Sequence, residues 1–79
     1  MKVIRVRLTD KQDRSIKIWT VRYVAGATNI VLGQKPRKIN GWSITDHDGY
    51  ERFSEGNWAA LVPYFHMVAD NYGFTTNLS

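Results

Sequence analysis

The sequence predicts an α+β domain: a four- or five-stranded antiparallel sheet with one C-terminal amphipathic helix packed on one face. Three observations carry this. The first half alternates apolar and polar residues with period two, and the stretch Ser54 to Gly73 repeats its apolar residues every three or four positions. All the strand-like segments precede the helical one, the order expected of a sheet with a helix laid across it.

In SEGNWAALVPYFHMVADNYG, the residues Trp58, Leu61, Val62, Phe65, Val68, Ala69 and Tyr72 fall on one stripe. Ser54 or Asn57 can cap the first amides, Glu55 suits the positive helix start, and Gly73 stands where a left-handed C-terminal residue belongs. Pro63 lies opposite the stripe with Ala59, His66 and Asp70, where water reaches the carbonyl its missing N–H leaves free. A Pro-kinked helix is expected, with a break at Val62 as the alternative.

Lys2 to Thr9 reads as a strand with Ile4, Val6 and Leu8 on one face and Val3, Arg5 and Arg7 on the other. Asp10 to Arg14 is a polar turn. Ser15 to Val24 then forms the second strand of an antiparallel hairpin. Ala25 to Asn29 reads as a turn, Ile30 to Leu32 as a short third strand, and GQKPRK as a basic loop held extended by Pro36. Ile39 to Thr45 is a strand with Trp42 and Ile44 inward, in which Gly41 marks a bulge. Asp46 to Gly49 makes a hairpin turn, Tyr50 to Phe53 returns, and Thr75 to Ser79 is expected to fray.

The 79 residues make one domain, 1–79, without cysteine, so neither disulfides nor thiolate metal sites exist. A chain this short buries only about 60% of its unfolded surface, and pairing as a homodimer is one way to gain core. The opening MKVIRVRLT alternates charge with apolar residues, unlike a signal peptide, and no apolar run reaches the roughly 20 residues of a membrane span. These readings give a cytoplasmic protein with no membrane among its partners. Of eleven basic residues, ten lie in the first 38 against Asp10 and Asp13, a net +8; the remainder holds Arg52 against five acids, a net −4. That asymmetry points to an anionic partner, or to a solubilising distribution that folding evens out.

Catalytic sets are missing. Two histidines without cysteine exclude a Cys–His pair, and His47, between Asp46 and Asp48, reads as a solvated loop residue. The acidic turn resembles the start of a calcium loop, but its twelfth position is Asn57 rather than a bidentate acid. No glycine-rich phosphate loop occurs, so no enzyme activity, cofactor or metal is expected.

The leading expectation is a module for single-stranded DNA or RNA, using a basic, aromatic sheet face. Arg5 and Arg7 would join Lys17, Trp19 and Tyr23, with Lys35, Arg37 and Lys38 extending the track. Bases would stack on the rings while phosphates met the cations. Alternation leaves open which face of the second strand, Trp19 and Tyr23 or Ile16 and Ile18, is exposed. The alternative is a small protein-binding module or inhibitor, of the kind mobile elements encode, engaging an acidic partner by a sheet edge or the basic face. The fragments Phe53-Ser54-Glu55-Gly56-Asn57-Trp58 and Lys35-Pro36-Arg37-Lys38 are similar to segments of a family of single-strand-binding coactivators. A whole hairpin, Gly41 to Phe53, separates them here, so no residue role is carried over.

Overall fold

Alternation along the first hairpin sets the sheet. The computed structural model describes residues 3–79 and holds β1 (Val3–Asp10), β2 (Ile16–Asn29), β3 (Arg37–Thr45), β4 (Glu51–Glu55), α1 (Trp58–Asn71) and β5 (Phe74–Thr76). Lys2, read as the first residue of a strand, lies outside the described residues. All pairings are antiparallel, in the order β4-β3-β2-β1-β5. On β1, Val6 and Leu8 point into the core and Arg5 and Arg7 away from it, as alternation requires.

The helix runs without interruption through Pro63, which is exposed on its outer side. Asn57, rather than Ser54, is the cap: its Oδ1 accepts from the Ala60 N–H at 3.0 Å. Ser54 and Glu55 belong to β4 instead. Gly73, with φ 81°, turns the chain out of the helix. Fourteen residues at about 1.5 Å each give roughly 21 Å, close to the four strand spacings of about 4.8 Å between β4 and β5. The helix therefore leaves one sheet edge and delivers the chain to the other. Its stripe, Leu61, Phe65, Val68 and Ala69, meets Val6, Leu8, Trp19, Val21, Ile44 and Phe74 in the single core.

Four expectations about the strands are corrected. Ala25 to Asn29 is no turn: β2 continues to Asn29, because β3 supplies a partner as far as Arg37. The irregularity lies on β2 between Val24 and Ala27, opposite Asn40, and Gly41 keeps a regular pair with Val24. There Gly26 adopts φ 70° and donates its N–H to Asn40 Oδ1 at 2.8 Å. Gly41 serves close approach, since a Cβ there would stand 2.3 Å from the Ser54 carbonyl oxygen.

Ile30 to Leu32 forms no strand and sits in the loop joining β2 to β3. The fifth strand is instead the C-terminal segment, which does not fray. Thr75 pairs with Thr9, Trp58 Nε1 donates to the Ser79 carbonyl at 3.0 Å, and His66 Nε2 donates to the Leu78 carbonyl at 2.6 Å. Among the described residues no helix is long and apolar enough to cross a membrane.

Candidate interaction surface

One face of the sheet is roofed by α1; among the described residues no element covers the other. Register assigns the residues. Pairs Val6↔Trp19, Ile4↔Val21 and Leu8↔Lys17 share the helix side, and Arg5↔Thr20, Arg7↔Ile18 and Val3↔Arg22 share the open side. The open side thus gathers Val3, Ile16 and Ile18, about half exposed, among Arg5, Arg7 and Arg22. Across β3 the Phe53 ring lies over Gly41, beside Ser43, and remains 39% exposed.

The eight residues expected to form one nucleic-acid face fall in three places. Arg5 and Arg7 are on the open face. Lys17, Trp19 and Tyr23 are on the other, and Trp19 is fully buried. Its ring meets Phe65, Tyr72 and Phe74 edge-on at 5.3–6.1 Å, so it is a core residue and offers no face to a base. Tyr23, 40% exposed, packs edge-on against Trp42, which meets Trp58 in turn. Lys35, Arg37 and Lys38 lie at and beyond the distal loop; Arg37 is 3.3 Å from Glu55, and Lys38 donates to Thr28 Oγ1. Arg5, Arg7, Lys17 and Lys35 make no ion pair among the described residues.

Sequence reading left the exposed face of β2 open, with Ile16 and Ile18 as one alternative, and missed Phe53 as surface. The signal for β2 was Arg22. It shares parity with Ile16 and Ile18, and a central strand more readily turns an arginine outward than it exposes a tryptophan.

The hairpin turn at Asp46 to Gly49 forms as expected, and His47 and Asp46 tie it to the core. His47 is an exposed turn residue, and one edge of its ring meets the core: the ring lies 6.3 Å from Trp19 and its Nδ1 accepts the indole N–H at 3.1 Å. Asp46 is buried. Its Oδ1 accepts from the Asp48 and Tyr50 amides, and its Oδ2 accepts from Arg52 at 3.1 Å and the Tyr72 hydroxyl at 2.7 Å. Burial pushes its pKa up, but these bonds outweigh that and hold it at about 2. With both oxygens engaged internally, Asp46 orders the β3–β4 turn and has no free lone pair aimed at a ligand. Among the described residues no three His, Asp or Glu side chains are grouped to hold a metal.

No family model, curated protein or solved structure matches this chain.

Proposed function

We propose that this chain is a non-enzymatic binding module that engages an acidic protein partner through the helix-free face of its sheet. The observation that carries the proposal is the composition of that face: arginines alternating with half-exposed aliphatic residues and one aromatic edge. Arginine and aromatic residues are the types enriched where proteins meet, and an arginine stem adds apolar area beneath its charge. The flat arrangement suits a surface partner better than a small ligand, which wants concavity.

The test uses the chain as bait in native lysate treated with nuclease, beside an Ile18→Asp, Arg5→Glu variant. Both substitutions fall on exposed positions, so melting should be unchanged. A nuclease-resistant protein captured by the wild type and lost by the variant supports the reading, provided the purified partner is acidic and binds directly. Equal capture by both baits overturns it.

Single-stranded nucleic acid remains a second reading, because Arg5, Arg7 and Lys35 make no ion pair among the described residues, which leaves them available to phosphates. It has lost Trp19 as a stacking ring. Binding by phosphate contacts alone would fall with salt at about −0.7 per contact, and Arg5→Glu would flatten that slope. Unchanged anisotropy of labelled oligonucleotides at low salt would remove it.

A further inference from the structure

The bulge at Ala25 and Gly26 marks the point beyond which β2 and β3 run on as a two-stranded ribbon. β1 stops at the pair Val3↔Arg22, and β4 stops at Gly41↔Glu55. At its end the Gln34 N–H donates to the Val31 carbonyl at 3.0 Å, closing a β-turn with Leu32 at its second position and Gly33, φ 83°, at its third. Leu32 is 101% exposed, Ile30 is 74% exposed, and Val31 lies between them. Three consecutive aliphatic residues therefore crown the most distant turn of a molecule 46 Å long.

From Arg14 to Thr45 the chain contains no Asp or Glu, whereas Lys35, Arg37 and Lys38 follow directly behind the turn. The acid in contact with the ribbon, Glu55 beside Arg37, sits on β4 at its base. The apex thus presents apolar side chains backed by Lys35, Arg37 and Lys38; Arg37 is paired with Glu55, while Lys35 and Lys38 make no ion pair among the described residues.

We propose that this turn inserts into the interface of an anionic lipid bilayer. The side chains of Ile30, Val31 and Leu32 leave the backbone around a turn rather than in one row. A bilayer interface accepts such a spread set, while a protein pocket would need to match it. The expectation that no membrane is a partner rested on spanning length, which interfacial insertion does not require. Apolar insertion and a short polybasic segment are the two signals whose sum gives stable but reversible attachment. Each cation near an anionic leaflet strengthens binding about fivefold.

The sequence has no cysteine, so Leu32→Cys gives a single labelling site for an environment-sensitive fluorophore. With vesicles of phosphatidylcholine and phosphatidylserine the label should brighten and shift to the blue; with phosphatidylcholine alone it should not. Sedimentation of the unlabelled chain with the mixed vesicles should weaken by about tenfold or more in Leu32→Glu. Lys35→Glu should weaken it as well. Because the Leu32 side chain is fully exposed, the melting curve of Leu32→Glu should match the wild type. Ile18→Ser, on the open sheet face, should retain vesicle binding, which separates this proposal from the protein-partner reading. Absence of sedimentation at low salt overturns the proposal. So does undiminished binding by Leu32→Glu, or a label that never shifts at saturating vesicles, since either means adsorption by charge alone. A label that responds to an acidic protein and not to vesicles also overturns it.

Discussion

Asp46 links the β3–β4 turn to the helix end through Arg52 and Tyr72, and its charge is what the fold holds. Its pKa of about 2 lies below the ordinary 3.8, so its contribution is complete above the ordinary value and is lost as pH falls from there towards 2. At about 1.4 kcal/mol per unit, about 2 kcal/mol leaves across that window. Melts of the wild type and Asp46→Asn should therefore converge as the pH approaches 2; a constant gap would refute the assignment. Trp19 gives a second residue-scale prediction. Trp19→Ala should cost about 3–5 kcal/mol, enough to unfold so small a domain, in a thermal or urea melt. A folded variant of unchanged stability would show that the ring is not core. Sequence could not choose between the faces of β2 because both are apolar. The choice came from β1 and α1, whose buried residues fit only the side of Trp19 and Val21.

At the scale of elements, the helix was the most legible part, since seven stripe positions at helical spacing leave little alternative to one covered face. Its proline is the useful probe. Pro63 is exposed within a continuous helix, so Pro63→Ala should be neutral or mildly stabilising by restoring one hydrogen bond. A clear fall in melting temperature would mean the pyrrolidine ring packs against something essential. The strands were legible where polar and apolar residues alternate and illegible where partners decide. Ala-Gly-Ala in β2 carries turn residues, yet pairing with β3 keeps it extended; the three residues of β5 are too few to show a period. Gly41 is the tight point between β3 and β4. Gly41→Ala would force a methyl against the Ser54 carbonyl and the Phe53 ring, with a loss towards the upper end of about 1–3 kcal/mol in chemical denaturation. A neutral outcome would show that β4 can back away freely.

For the molecule as a whole, charge asymmetry was visible in the sequence, but its distribution was not, because the eight expected contact residues divide between two faces and a loop. Folding also joined the ends: β5 closes beside β1, with Thr75 opposite Thr9, so the C-terminal segment helps complete the same core as the first strand.

The ribbon beyond Val24 has a consequence in time rather than in space. Beyond its base, where the Gly56 N–H donates to the Asn40 carbonyl and Arg37 meets Glu55, its residues form strand pairs with each other; none belongs to the buried cluster, and two strands alone are marginal in water. Opening there need not await global unfolding, so the molecule should behave as a rigid five-stranded body bearing an arm that breathes on its own. In native-state hydrogen exchange, the cross-strand amides among residues 27–39 should exchange far sooner than those of Val21 and Ile44. Added denaturant should hardly change the arm's rates while it accelerates those of the body. Equal protection throughout would instead make the arm and the body one cooperative unit.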